Sequence, residues 1–258
     1  MSVHDKPWPD GTPCWAELAV PDLEAGRRFY AELLGWQFEV GPEETGFYSE
    51  ALVGGRRAAA LSGVMAGGDA PVAWLTFLAA SDVRAATERA VAAGAEVLAG
   101  PMDVMDFGAM AVLRDPTGAT FALWQAGISV GAQVVDEPGA MIWDEHLSPR
   151  FEDAKEFYRA AFGYTYDDIS APGFDYVTLQ VDGRAVGGIG GGWETSEWAV
   201  YFGVPDTDAT TAAAVRLGGS VFAQPEDTPY GRLAGITGPF GERFWLMSTE
   251  EPSSPAAG

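Results

Sequence analysis

Two spacings of apolar residues alternate along the chain. Ala16, Leu18 and Val20 recur at every second position, with Trp15, Glu17 and Ala19 between them, which predicts an extended strand with two unlike faces. Pro21-Asp22 then opens a stretch with Phe29, Leu33 and Leu34 at helical spacing. Asp22 can cap that helix and Gly35 can end it. Strand-like runs follow at Trp36–Val40, Phe47–Val53 and Ala58–Val64. The pattern then restarts: a strand at Trp74–Ala79, a helix from Asp82 to Ala93 stopped by Gly94, and strands near Glu96–Leu98, Ala109–Leu113 and Thr120–Gln125. Helices at Phe151–Phe162 and Thr207–Leu217 repeat this order, so each quarter of the chain reads β-α-β-β-β. One helix covers one face of such a module, and the other face must be buried or curled around something.

The halves also match residue by residue. At an offset of 128, Gly11 pairs with Gly139, Trp15 with Trp143, Glu17 with Glu145, Pro21 with Pro149, Phe29 with Phe157, Tyr30 with Tyr158 and Gly35 with Gly163. Trp74 and Trp198 follow at 124, and Pro116 and Pro239 at 123, so the second copy has lost a few loop residues. This predicts an N-terminal tail (1–10), a first domain (11–126), a linker (127–138), a second domain (139–248) and a loose, Pro-rich tail (249–258).

Composition narrows the function classes. The 258 residues include 15 Lys+Arg and 37 Asp+Glu, a net charge of −22, which argues against nucleic acid or an anionic membrane as partner. With 47% apolar and 12% aromatic residues the chain can build a real core. Its uncharged stretches are too short to span a membrane, and no apolar signal region opens it. The single cysteine, Cys14, can form neither an internal disulfide nor a cysteine metal cluster, and a reducing cytoplasm is the expected compartment.

The motif strand–Pro-Asp–helix–Phe-Tyr–Leu-Gly-Trp (Val20–Trp36), with Asp-Pro-x-Gly-x-x-Phe-x-Leu-Trp at Asp115–Trp124, resembles the vicinal oxygen chelate superfamily, in a tandem-domain actinobacterial branch. This is the glyoxalase, bleomycin-resistance and extradiol dioxygenase group. The second copy is looser at its end, Gly238–Leu246. The resemblance implies an α+β fold, with four βαβββ modules paired into two tandem domains whose mixed sheets form cups. Metal enzymes of the family place His, Gln or Glu on the cup face of a module's first strand and Glu in its last strand. The matching positions here are Trp15, Leu75 and Ala122, then Trp143, Ala199 and Trp245, so no metal and no cofactor is expected. Of the two histidines, His4 lies in the tail, and His146 falls out of phase with Trp143 and Glu145, as a hydrogen-bonded core histidine would.

Alternation from Trp15 gives the expected cup linings. The first copy contributes Trp15, Glu17, Leu75, Phe77, Ala122 and Trp124, and the second Trp143, Glu145, Tyr201, Arg243, Trp245 and Met247. Phe107 and Tyr230, each before a glycine, stand at matching rim positions. Such walls suit an apolar aromatic ligand, and a carboxylate beside tryptophan suits a cation. Three roles stay open for Glu17 and Glu145: a structural acceptor (or partner of Arg56 or Arg57), a ligand-orienting group, or a general base. Gly187–Gly192 lacks the Lys-Ser/Thr of a phosphate loop and reads as a strand where backbones approach closely. The expected function is metal-independent binding of an apolar aromatic small molecule, such as an antibiotic or polyketide, for sequestration or presentation to a tailoring enzyme. The alternative is a lyase, isomerase or cofactor-free oxygenase using a cup glutamate as base. Monomer and homodimer are both open.

Overall fold

The computed structural model describes residues 3–64 and 72–248. The tail expected at 249–258 lies outside them. The first quarter comprises β1 (Pro13–Val20), α1 (Leu23–Leu34), β2 (Gln37–Val40), β3 (Ser49–Val53) and β4 (Arg56–Gly63). The second comprises β5 (Trp74–Ala79), α2 (Val83–Ala92), β6 (Glu96–Val104), β7 (Gly108–Arg114) and β8 (Thr120–Ala126). The third comprises β9 (Met141–Leu147), α3 (Phe151–Phe162), β10 (Thr165–Asp168), β11 (Tyr176–Val181) and β12 (Arg184–Gly190). The fourth comprises β13 (Glu197–Val204), α4 (Thr207–Arg216), β14 (Ser220–Thr228), β15 (Gly231–Thr237) and β16 (Arg243–Ser248). The fold is α+β, with each quarter in the βαβββ order that the periodicity predicts.

The strands form two eight-stranded mixed sheets of equivalent order, β2-β3-β4-β1-β5-β8-β7-β6 and β10-β11-β12-β9-β13-β16-β15-β14. In every module the first strand pairs parallel with the last, as Glu17 with Ala60 and Tyr201 with Trp245, and the remaining pairs are antiparallel. A parallel pair needs a crossover, and each module's helix supplies it.

Local chemistry explains the helix ends. Asp22 accepts a hydrogen bond from Ala25 N at 2.9 Å, and Gly35 ends α1 at φ 72°. Asp82 and Asp206 cap α2 and α4 in the same way. The third module has Arg150 where Asp22 stands in the first, and α3 has no side-chain cap; instead Ser148 Oγ accepts from Arg150 N at 2.9 Å. β6 extends to Val104, beyond the predicted Glu96–Leu98. It lies at a sheet edge and is bulged against β7, which is where a strand tolerates Gly100-Pro101.

Contacts divide the chain into two compact units, Met1–Ala16 with Leu75–Gln133 and Trp143–Ala199, and Glu17–Trp74 with Val134–Ile142 and Val200–Gly258. In the first unit, Leu78, Leu113, Phe121 and Leu123 pack with Phe157, Tyr158, Leu179 and Ile189 in one buried cluster. Burial of each such side chain is worth about 1.5–3 kcal/mol. In the second unit, Tyr30 of α1 sits among Trp36, Trp74 and Phe244, with ring centroids 5.3–5.7 Å away.

The repeated Gly11 and Gly139 have a shared cause. Both are left-handed, at φ 83° and 84°. Trp36 Nε1 donates to the Gly139 carbonyl at 2.6 Å, and Tyr164, at Trp36's position in the second copy, donates its hydroxyl to the Gly11 carbonyl. A side chain at Gly11 would meet the Tyr164 ring at 2.9 Å.

Candidate functional site

In each copy a glutamate of the first strand accepts from a tyrosine of another segment. In the second unit, Glu17 of β1 is half-buried and accepts hydrogen bonds from Tyr48 Oη at 3.1 Å and Ser62 Oγ at 2.8 Å. Burial raises the proton affinity of this carboxyl, and the two hydroxyls partly oppose that rise. In the first unit, Glu145 of β9 is 6% exposed and accepts from Tyr176 Oη at 2.6 Å. Trp143 Nε1 donates to the same tyrosine oxygen at 2.9 Å. Tyr176 lies 128 residues after Tyr48, the spacing that separates Glu145 from Glu17.

The glycine run explains the reach of Tyr176. A side chain at Gly188 would lie 2.1 Å from Tyr176 Oη, and one at Gly190 would meet Leu147 at 3.0 Å and Tyr176 at 3.5 Å. Gly188 also faces Glu145 in the β9–β12 register. The bare backbone therefore lets the phenol cross β12 to the carboxylate. The first copy has Ala60 and Ser62 at these positions, and there Ser62 supplies a second donor to Glu17.

The remaining expected residues fall into separate groups. In the first unit, Phe77 and Ala122 are register partners between β5 and β8, and both are buried. Trp124 is half-buried, its ring edge-on to Phe77 at 6.5 Å, and its Nε1 donates to the Ser129 carbonyl at 3.0 Å. Trp124 also lines a groove of about 190 Å³ with Pro7, Trp8, Cys14, Gln125 and Val130. Trp15 is 7% exposed and Leu75 is half-buried. Phe107 is half-buried in the β6–β7 turn, where its carbonyl accepts from Gly127 N and Ser129 N.

In the second unit, Tyr201 and Trp245 stack at 5.5 Å, and Phe222 meets Trp245 edge-on at 5.0 Å. The exposed Arg243 lies 3.8 Å over the Phe222 ring. Met247 is half-buried, and Tyr230 is 69% exposed. Arg56, weighed as a partner for a cup glutamate, forms a bidentate pair with Glu137 at 2.6 and 2.8 Å; Arg57 lies 3.6 Å from Glu50.

His146 is a core histidine. It is fully buried, with Nε2 at 2.8 Å from Asp115 Oδ2. Tyr158 Oη donates to the same oxygen at 2.9 Å, and Trp198 Nε1 donates to Tyr158 Oη at 2.6 Å. The other Asp115 oxygen accepts from the backbone of Thr117, Gly118 and Ala119. Burial pulls the Asp115 carboxyl upward, but His146, Thr117 and Tyr158 outweigh it and hold the group below the usual carboxylate range. The second unit repeats the motif without histidine: Tyr30 Oη donates to Glu242 at 2.9 Å, and Trp74 Nε1 to Tyr30 Oη at 3.2 Å. There burial prevails and Glu242 is raised. His4, in the N-terminal segment, stacks on Trp8 at 3.7 Å.

Sequence reasoning passed over Tyr48, Ser62 and Tyr176. Tyr48 and Tyr176 carried a signal, since both keep tyrosine at the repeat offset. Ser62 carried none, because glycine replaces it in the second copy.

The positions that hold metal in the resembling enzymes do not fit an ion here. Trp15, Leu75, Ala122, Trp143, Ala199 and Trp245 offer no ligating atom. Among the described residues, no three His, Cys, Asp or Glu side chains gather as a metal ion would require. No helix among them is long and apolar enough to cross a membrane.

Known proteins agree with this architecture. The chain is 37% identical over 249 residues to "Putative glyoxylase CFP32" of Mycobacterium tuberculosis, covering 92% of this chain and 94% of that protein. It is 35% identical over 266 residues to the anthracycline biosynthesis protein DnrV of Streptomyces peucetius, covering 96% and 97%. Among solved structures, the Mn(II)-bound glyoxalase of Novosphingobium aromaticivorans superposes with a TM-score of 0.66 at 18% identity, covering 95% and 84%, a likeness of fold. The family model described as the Glyoxalase/Bleomycin resistance protein/Dioxygenase superfamily matches residues 14–123. With both copies folded as βαβββ pairs and relatives matched along nearly the whole length, this chain belongs to the glyoxalase/bleomycin resistance/dioxygenase superfamily.

Proposed function

We propose that this protein binds a planar, apolar aromatic small molecule without a metal ion, and holds it for sequestration or for delivery to a tailoring enzyme. The observation that carries this reading is the joining, in the second copy, of Trp143 at a metal-ligand position to Glu145 two residues on, through the Tyr176 hydroxyl. The half-buried Trp143 offers a flat apolar ring. Glu17 and Glu145, fixed by Tyr48 and Tyr176, offer an acceptor for a ligand hydroxyl or ammonium group. The relatives named for anthracycline biosynthesis support a fused-ring aromatic ligand. The acidity of the chain favours a cationic one at low salt.

Titration of 1,4-dihydroxyanthraquinone, the chromophore type of such compounds, into the protein tests the reading. Saturable binding with a Kd near 1 µM, about −8 kcal/mol, unchanged by a chelator, is expected. Absence of binding, or loss of binding on chelation, overturns it.

The burial-raised proton affinity of Glu17 favours a second reading, in which this residue is a general base in a lyase, isomerase or cofactor-free oxygenase reaction. Glu17→Gln would then abolish turnover and spare binding.

A further inference from the structure

We infer that Phe174 is the residue on which a planar ligand stacks in the second copy, forming the outer face of an aromatic platform that leads inward to Glu145. This rests on the aromatic-ligand reading above and specifies where the ring lies.

Phe174 is large, apolar and 52% exposed. An isolated exposed phenylalanine is ordinary, but this one is held in place. It follows the tight Pro172-Gly173 turn, where Ala171 and Phe174 exchange two backbone hydrogen bonds of 2.8 Å, and Gly173 supplies the left-handed turn residue at φ 81°. Its ring lies parallel to that of Tyr176, with centroids 5.5 Å apart and planes inclined by 5°. Residues 174 and 176 are two apart, so both rings stand on one side of the chain.

Tyr176 is itself fixed. It donates to Glu145, accepts from Trp143, and lies over the bare backbone of Gly188. A ring stacked on a ring held in this way loses little freedom when a ligand arrives, which favours binding. One face of Phe174 is covered by Tyr176, and its exposed surface remains for a second planar partner. The partner class is therefore a fused polycyclic aromatic, whose flat face matches the exposed ring.

The first copy reaches a similar composition by another route. Phe47 is 49% exposed and directly precedes Tyr48. Its φ is +59°, a left-handed conformation uncommon for a bulky residue. Both copies therefore expose a phenylalanine beside the tyrosine that holds the strand glutamate, although the two loops differ in sequence and backbone.

The test uses the full-length protein and 1,4-dihydroxyanthraquinone, followed through the probe's own fluorescence. Phe174→Ala and Phe174→Leu should each weaken binding about five-fold, and Phe174→Trp should match or exceed wild type, because stacking needs a flat face and leucine has none. Phe174 is exposed, so all three variants keep the core intact. Wild-type affinity in both the alanine and leucine variants, with wild type and Phe174→Trp binding normally, overturns the assignment of Phe174 and leaves the broader binding reading standing. Failure of the wild-type protein to bind overturns both.

Discussion

The Tyr176 hydroxyl donates to Glu145 at 2.6 Å, and 128 residues earlier Tyr48 does the same to Glu17 at 3.1 Å. The two bonds differ in setting. Glu17 has a second hydroxyl donor in Ser62, whereas Tyr176 crosses a glycine backbone and takes a further bond from Trp143. Removal of the phenol oxygen in the second copy also takes the acceptor from Trp143, so it should cost more there. Tyr176→Phe is expected to lose about 1–3 kcal/mol of stability, and Tyr48→Phe about 1 kcal/mol, measured by urea denaturation. Equal losses would show that the Trp143 bond to the phenol adds nothing to stability.

Gly188 is the spacer for that bond. Gly188→Ala would place a methyl group 2.1 Å from Tyr176 Oη, against a ring already fixed at both ends. The ring must move, so the variant is expected to lose the Tyr176–Glu145 bond and with it about 1–3 kcal/mol. The opposite outcome, an unchanged midpoint in urea and an unchanged tyrosine environment by near-ultraviolet circular dichroism, would mean that the contact relaxes without consequence.

Asp144 should make the protein sensitive to alkali. This side chain is 3% exposed, accepts from Thr76 Oγ1 at 2.9 Å, and has its pKa pushed up to about 8 by burial. The folded value lies above the unfolded one near 3.8, so folding favours the protonated acid. That contribution is complete below about pH 4 and declines as pH rises toward 8. Asp144→Asn keeps an acceptor for Thr76 and cannot ionise. Its melting temperature should exceed that of wild type at pH 8, with the gap narrowing toward pH 5. A constant difference across that range would refute the role of the charge.

The two buried tyrosine–carboxylate clusters should respond unequally to amide substitution. Asp115 is held below the ordinary carboxylate range, so its stabilising effect is present above pH 4 and is lost as pH falls through its lowered folded pKa. Asp115→Asn takes away a carboxylate that meets His146, Tyr158 and three backbone N–H groups, and should cost about 1–3 kcal/mol at pH 7. Glu242 is raised, so its charged form weakens the fold at neutral pH. Glu242→Gln keeps an acceptor for Tyr30, loses the bond from Phe240 N, and should stay within about 1 kcal/mol of wild type. Calorimetry of both variants at pH 7 checks the contrast.

Much of the fold was legible because it rests on local rules. Asp22, Asp82 and Asp206 announce three helix starts, and Gly35 and Gly163 two ends, since capping is settled within a few residues. Strand alternation placed Leu18 in the core and His146 off the glutamate face. The extent of β6 was hidden by Gly100-Pro101, which reads as a break although an edge strand accepts it. The candidate site was half visible. Glu17 and Glu145 stood out as repeated acids, but their partners come from another strand or its approach, and no periodicity of β1 or β9 points to Tyr48, Ser62 or Tyr176.

By itself the sequence determined the four modules, their βαβββ order and the absence of ligating side chains at six strand positions, because periodicity, capping and side-chain chemistry are properties of neighbouring residues. Only the tertiary structure decided which donor meets which carboxylate. It decided that Asp115 meets His146 and Tyr158 while Glu242 meets Tyr30 and the backbone of Phe240, and that Gly188 clears the path from Tyr176 to Glu145. Those choices depend on strand register and on burial, which bring together residues far apart in the chain and set how strongly each charge is penalised.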